Sequence, residues 1–114
     1  EKVVLPLLKE EANLINRIKE DIYECVKDHI VVAYIFGSYA TGEETLHSDL
    51  DICFIVKKNK HIVEEIIERK IEEYIDYYNV KLSPYIVTKK EFDAKKDTKL
   101  IRNILREGVN INDG

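Results

Sequence analysis

The chain has 114 residues, a mass of 13.4 kDa and a formal net charge of −4 at pH 7. No apolar run approaches the ~20 residues of a transmembrane helix, which argues against a membrane segment. The acidic balance argues against direct nucleic-acid binding. The length is typical of one domain, so we interpret residues 1–114 as a single domain.

The first half of the chain predicts a long helix followed by a strand. Apolar residues recur with a helical period over residues 6–29. Residues 30–36 form a nearly continuous β-branched and aromatic run that ends at Gly37, which predicts a buried strand. Residues 38–41 predict a short helix and residues 43–48 a polar loop.

The second half predicts a strand, a helix, another strand and a final helix. The apolar run over residues 49–56 is the second strand, and residues 61–78 have helical periodicity. Residues 80–88 read as a third strand, in which Pro84 indicates an edge position or a bulge because proline cannot donate to the ladder. Residues 98–107 predict the last helix.

The order of these elements predicts an α/β (α+β) fold. If the end of the first strand and the start of the second form one site, those two strands must run antiparallel. A crossover through the helix over residues 61–78 makes the third strand parallel to the second. We therefore expect a small mixed β-sheet flanked by helices, with Gly108 capping the last helix and Val109 and Ile111 in a tail.

The most informative segment joins the first two strands. It reads Gly37-Ser38, ten intervening residues, then Asp49-Leu50-Asp51. Side chains two apart in a strand point to the same face, so the two aspartates project together. Neighbouring carboxylates are costly without a cation, and a hard divalent ion, Mg²⁺ or alternatively Mn²⁺, meets that need. The glycine–serine turn offers backbone N–H groups and a hydroxyl to phosphate oxygens.

This segment resembles the minimal nucleotidyltransferase (MNT) family of the DNA polymerase β-like superfamily. The resemblance is carried by Gly37, Ser38, Ala40, Gly42, Ser48, Asp49, Asp51 and Ile52. It implies a nucleotidyltransferase fold over most of the chain. It also implies Mg²⁺-dependent transfer of a nucleoside monophosphate from ATP, or another NTP, to an acceptor that could be a protein.

The resemblance also assigns roles to the matched residues. Asp49 and Asp51 are implied as metal ligands and catalytic carboxylates, and Gly37, Ser38 and Ser48 as contacts to the nucleotide and its phosphates. Many small family members are antitoxins paired with a HEPN-domain toxin. The expected partners are therefore a nucleotide and, as a further option, a HEPN-domain protein; a homo-oligomer is left open.

The chain departs from the family pattern in two places. Tyr39 and Thr41 are neutral where relatives often carry arginine that can hold phosphate, and a carboxylate is missing further along. Active members carry a third carboxylate on the strand after the crossover helix, and Ser83 occupies that slot here; the nearest acids, Asp76 and Glu91, lie outside the predicted strand. Serine is a weak neutral ligand and no base at neutral pH. Two readings stay open: an active transferase, or a weakly active or inactive antitoxin-like binding module. A sugar- or antibiotic-modifying enzyme would need an added acceptor domain, for which little room is expected.

Two further sets of side chains lie outside the motif. Cys25 and Cys53 have no metal-ligand spacing, so we interpret both as buried apolar residues, which fits a reducing, cytoplasmic location. Tyr74, Tyr77 and Tyr78 are interpreted as core and interface residues, with stacking on a nucleobase as the alternative.

Overall fold

A computed structural model of the protein describes residues 4–41 and 49–112. In chain order the elements are α1 (Val4–Val26), β1 (Ile30–Phe36), α2 (Ser38–Thr41), β2 (Leu50–Val56), α3 (Lys60–Tyr78), β3 (Leu82–Thr88), α4 (Lys89–Ala94), α5 (Lys99–Glu107) and β4 (Val109–Asn110). Every helix and strand expected from the sequence is present, with its ends moved by at most three residues. The elements α4 and β4 were not expected.

The described strands form a four-stranded sheet in the order β3-β2-β1-β4. Strand β1 pairs with β2 in the antiparallel direction, and β2 pairs with β3 in the parallel direction after the crossover through α3. Strand β4 adds to the other side of β1, again antiparallel. The prediction of a small mixed sheet is therefore confirmed, and so are the directions of its first three strands.

Strand β3 lies at an edge of the sheet, as Pro84 indicated. The Leu50 N–H donates to the Lys81 carbonyl at 2.8 Å, which sets the alternation of the parallel ladder. In that alternation the nitrogen of Pro84 faces away from β2. Proline therefore lacks only an N–H group that the β2–β3 ladder does not use. On the outer side of β3 the missing N–H leaves one donor fewer for pairing with another strand.

Helices cover both faces of the sheet and divide its core in two. On one face α1 and α3 pack against alternate residues of β2. The buried members there include Ile18, Ile22, Val26, Leu50, Ile52, Phe54, Val56, Val63, Ile67 and Tyr74. On the other face α4 and α5 pack against the intervening residues. That second core contains Cys53, Ile55, Val87, Phe92, Ile101 and Ile104.

Helix α4 begins with a capping box. The Glu91 N–H donates to Thr88 Oγ1 at 3.1 Å, and the Thr88 N–H donates to Glu91 Oε1 at 2.9 Å. The spacing Thr-x-x-Glu was visible in the sequence as a helix-start signal. Phe92, buried in the second core, fixes this short helix against the sheet.

The expectation of an irregular tail after Gly108 was wrong. Val109 and Asn110 pair with β1, and the Ile111 N–H donates to the Ala33 carbonyl at 3.0 Å. The pairing supplies partners for the free edge of β1, and it buries the Ile111 side chain in the larger core. Gly108 does cap α5, with an extended backbone and its N–H on the Ile104 carbonyl.

The cysteines and tyrosines divide by burial. Cys53 is buried as expected, and desolvation raises the pKa of its thiol to about 12. Cys25 is only half-buried, so that expectation was wrong. Tyr74 is fully buried between α1 and α3, which makes it a core residue rather than a stacking platform, whereas Tyr77 and Tyr78 are exposed.

Among the described helices none is long and apolar enough to cross a membrane.

Candidate functional site

The antiparallel pairing of β1 and β2 brings the two ends of the sequence motif together. Phe36, the last residue of β1, is the ladder partner of Asp51. Gly37 follows Phe36 directly, and Asp49 precedes the first residue of β2. Because β2 alternates between the faces of the sheet, Asp51 shares its face with Cys53, on the side that α4 and α5 cover further along.

Gly37 is required by the geometry of this turn. Its φ is +74°, in the left-handed region that other residues rarely adopt. A Cβ at this position would lie 2.4 Å from Asp51 Oδ2, well inside van der Waals contact. From the sequence, Gly37 was interpreted as part of a phosphate-binding turn. The structure shows a different neighbour, since the space that a side chain would fill belongs to the Asp51 carboxylate.

Strand β3 and the residue that precedes it supply one neighbour for each aspartate. Asp51 is in register with Ser83, whose hydroxyl group acts to lower the pKa of the Asp51 carboxyl group. Two residues before Ser83, Lys81 Nζ lies 4.0 Å from Asp49 Oδ2. The residue beside Asp51 on β3 is therefore a serine, while Asp76 lies in α3 and Glu91 caps α4.

Asp51 has an unusual electrostatic environment. It is the one residue of β2 that is not buried, and yet it is only half-exposed. Desolvation raises the pKa of its carboxyl group, the Ser83 hydroxyl opposes that rise, and the neighbouring charge of Asp49 adds to it. The net result is a pKa above the ordinary aspartate value, because ionised Asp51 is incompletely compensated by the protein alone.

Such a pair of carboxylates fits a hard divalent cation. Asp49 and Asp51 offer oxygen ligands from one end of a strand, and the raised pKa of Asp51 shows negative charge that a cation would compensate. Within residues 4–41 and 49–112, no cluster of three or more His, Cys, Asp or Glu side chains could hold a metal. Mg²⁺ is commonly bound in this way, by one or two carboxylates together with substrate phosphates and water.

The expected site residues are placed unequally. Gly37, Asp49, Asp51 and Ser83 come together at one end of the sheet. Ser38 begins α2 as expected, but only its backbone is described, and Ser48 lies outside the described residues. Lys81 was not predicted as a site residue, although its position two residues before Ser83, on the same face, was a usable signal.

The raised pKa of Asp51 has a consequence for stability. A folded-state pKa above the unfolded value of 3.8 means that this group favours folding most at low pH, and that the benefit is lost as pH rises through the folded pKa. At pH 7 without divalent cations, Asp51→Asn should therefore raise the melting temperature, by on the order of 2 °C.

Asp93→Asn is the matched control for this measurement. Asp93 has a lowered pKa, chiefly because Lys89 hydrogen-bonds to it at 2.9 Å, so its neutralisation should not stabilise the fold. Differential scanning calorimetry of both variants compares the two carboxylates directly. An Asp51→Asn protein that melts below wild type would contradict the conclusion that the negative charge of Asp51 is incompletely compensated in the folded protein.

Comparison with known proteins adds an independent line of evidence. A family model described as "Polymerase beta, Nucleotidyltransferase" matches residues 17–113. Two similar proteins come from Methanocaldococcus jannaschii. "Putative protein adenylyltransferase MJ1305" is 28% identical over an alignment of 102 residues, and the match covers 84% of this chain and 69% of that protein. "Putative protein adenylyltransferase MJ0141" is 34% identical over 77 residues, which are 67% of this chain and 78% of that protein.

Among solved structures, a crystal structure of a mutant toxin–antitoxin MntA-HpeT is similar to this chain with a TM-score of 0.46 and 17% sequence identity. The similarity covers 80% of this chain and 68% of the other. Likeness at that level carries no conclusion about function.

Proposed function

This chain belongs to the polymerase β nucleotidyltransferase family, and on that premise we propose that it binds Mg-ATP, or another Mg-NTP, and transfers the nucleoside monophosphate to an acceptor. The single observation that supports the proposal best is the meeting of Asp49 and Asp51 with the Gly37 turn at one end of the sheet. Gly37 thereby lies beside the two aspartates, from which it is separated in the sequence.

The residues of the site have distinct roles in this proposal. Asp49 and Asp51 hold the cation, which when bound supplies positive charge to the triphosphate. Gly37 keeps the approach to Asp51 free of a side chain. The backbone that follows at Ser38, and the hydroxyl groups of Ser38 and Ser48, bind phosphate oxygens.

The reaction itself is a substitution at the α-phosphorus. An acceptor hydroxyl oxygen forms a bond to that phosphorus, the bond to the bridging α–β oxygen breaks, and pyrophosphate leaves with its electron pair. The acceptor proton passes to solvent, because Ser83 is no base at neutral pH. A protein hydroxyl is the acceptor that the names of the two M. jannaschii relatives support, with ATP as the donor.

Titration calorimetry with Mg-ATP tests the binding step. We expect Asp49→Asn and Asp51→Asn to weaken Mg-ATP binding at least tenfold, since each removes a charged ligand of the cation. Asp93→Asn, which neutralises an exposed aspartate of α4, should bind like wild type. Equal affinity in wild type and both site variants would refute the proposal.

A second function is favoured by Ser83. The register of β2 and β3 puts this serine beside Asp51, where active members of the resembling MNT family carry a carboxylate. In this alternative the chain is an antitoxin-like module, with weak transferase activity or none, that neutralises a HEPN-domain toxin by contact. Nucleotide binding would then be retained without efficient transfer.

Labelled transfer separates the two functions. The chain is incubated with ATP labelled at the α-phosphate, Mg²⁺ and a candidate HEPN-domain partner. Label that appears on the HEPN protein with wild type and disappears with Asp51→Asn supports the transferase. A stable complex that forms equally well with Asp51→Asn, without any label on the partner, supports the binding module.

A further inference from the structure

The two aspartates of the site have different neighbours at the start of β3, and those neighbours differ in charge. The register Leu50↔Leu82 and Asp51↔Ser83 fixes the two strands side by side, and the Leu50 N–H on the Lys81 carbonyl extends the pairing toward Asp49. Asp49 thus meets an ammonium group at 4.0 Å, while Asp51 meets a hydroxyl. Lys81 and Ser83 are two apart and point to the same face as the carboxylates.

This arrangement is poor for two cations. A second divalent ion needs a further anionic ligand near Asp51, and β3 offers only the neutral Ser83 there. No cluster of three metal-ligating side chains exists among the described residues. On the Asp49 side a second cation would also be repelled by the Lys81 ammonium.

The same arrangement allows one cation and the Lys81 ammonium group to act together on a bound triphosphate. Lys81 is exposed, so its flexible side chain can turn from Asp49 toward a bound ligand. Its ammonium is the basic group that the structure shows beside the carboxylate pair, and a triphosphate docked on that pair would come within its reach. A lysine can act on phosphates as a point charge.

We propose that this site takes one divalent cation, and that Lys81 supplies the positive charge that a second cation would otherwise bring to the triphosphate. The proposal rests on the proposed nucleotide-binding function and deepens it by specifying its charge arrangement. Lys81 competes with the cation for Asp49 before nucleotide binds, and it attracts the phosphates once nucleotide is present. Its removal therefore has opposite effects on the two ligands.

Metal stoichiometry is the first test. Electron paramagnetic resonance counts the Mn²⁺ ions bound to the chain in the presence of α,β-methylene-ATP. In this analogue a methylene group replaces the oxygen between the α- and β-phosphorus atoms, so nucleotidyl transfer cannot break that link. We expect one Mn²⁺ per complex in wild type. We expect Ser83→Asp, which restores a carboxylate beside Asp51, to bind a second. Two Mn²⁺ per complex in wild type would overturn the proposal without requiring that any variant fold.

Substitution of Lys81 is the second test. Lys81→Met should bind Mn²⁺ alone about 2- to 5-fold more tightly, and Mg²⁺-loaded α,β-methylene-ATP about 2- to 5-fold more weakly, the range expected for one exposed charge contact. Lys81→Arg should resemble wild type because it keeps the charge. Lys89→Met removes the same charge from an ion pair in α4 and should change neither affinity.

The outcomes separate this inference from the function on which it rests. If wild type binds one Mn²⁺ with the nucleotide but Lys81→Met shifts both affinities in the same direction, or neither, the role of Lys81 is refuted and the proposed function stands. If wild type binds no Mn²⁺ and no nucleotide, the proposed function fails, and this inference fails with it.

Discussion

Replacing Gly37 with alanine is expected to destabilise the protein by about 1–2 kcal/mol, the cost of holding a residue with a Cβ in the left-handed region. The same change should weaken Mg-ATP binding by more than tenfold. Gly37 has a φ of +74°, and the new Cβ would lie 2.4 Å from Asp51 Oδ2. Since such a contact cannot persist, the Asp51 carboxylate must move, and the cation loses a ligand.

Gly108→Ala is the matched control for this prediction. Its Cβ would also meet an oxygen at 2.4 Å, but this is the backbone carbonyl of Ile104 at the end of α5. The Gly108 backbone is extended, so φ adds no strain. We expect a stability loss of about 1–3 kcal/mol from the overpacking and no change in nucleotide affinity of the folded protein.

Urea denaturation and calorimetry, run on both variants, measure the two effects separately. The contrast is informative because both glycines are tightly packed while only Gly37 touches the proposed metal ligand. If Gly37→Ala folds and binds Mg-ATP as well as wild type, the close approach to Asp51 has no functional importance.

The largest loss of stability is expected for Tyr74→Ala, at about 3–5 kcal/mol. Tyr74 is fully buried in the core between α1 and α3. Its Oη donates to Asp21 Oδ2 at 2.5 Å, and Lys70 Nζ lies 2.8 Å from the same oxygen. The alanine variant therefore opens a cavity and removes one of the two hydrogen-bonding partners of Asp21.

Two further variants divide this loss into its parts. Tyr74→Phe keeps the ring and deletes only the hydroxyl, so we expect a loss of about 1 kcal/mol. Tyr77→Ala truncates a tyrosine of the same helix that is 79% exposed. The expected change there is within about 0.5 kcal/mol. Chemical denaturation curves give all three values, and a Tyr74→Ala loss no larger than that of Tyr77→Ala would contradict the packing of α3 on α1.

The contacts of Tyr74 and Lys70 with Asp21 also predict how the stability of the fold depends on pH. Burial alone would raise the pKa of Asp21, but hydrogen bonds from Lys70 and Tyr74 outweigh it and hold the pKa below 3.8. A lowered folded-state pKa means that the group stabilises the fold above its unfolded pKa, and that the contribution is lost as pH falls through the folded value. In Tyr74→Phe this acid-dependent part should shrink, because one of the two hydrogen bonds is gone.

Local patterns were enough to predict most of the architecture. The apolar run of β1 and the helical period of α3 are properties of consecutive residues, and burial against a sheet then follows from amphipathicity. Even the edge position of β3 was visible, because Pro84 cannot donate to a ladder. The antiparallel direction of β1 and β2 followed from requiring that Ser38, at the end of β1, and Asp49, at the start of β2, meet.

The missed elements are short ones that depend on distant partners. Strand β4 has two residues, and it exists because β1 presents a free edge that Val109 and Asn110 can pair with. No periodicity can be read from two residues. Helix α4 was marked by its capping box, but its six residues hold a helical conformation with Phe92 anchored in a core built from β2, β3 and α5.

By itself, the sequence determined where the carboxylate pair lies along the chain, which strands flank it, and which family the motif resembles. Only the tertiary structure decided what surrounds each carboxylate. Lys81 and Ser83 lie thirty or more residues beyond the aspartates in sequence, and the parallel register of β2 and β3 puts one beside each of them. Gly37 reads as a turn residue in the sequence, and only the packed strands show that its missing side chain leaves room for Asp51. Spacing along a chain specifies local geometry, whereas charge balance at a site depends on neighbours through space.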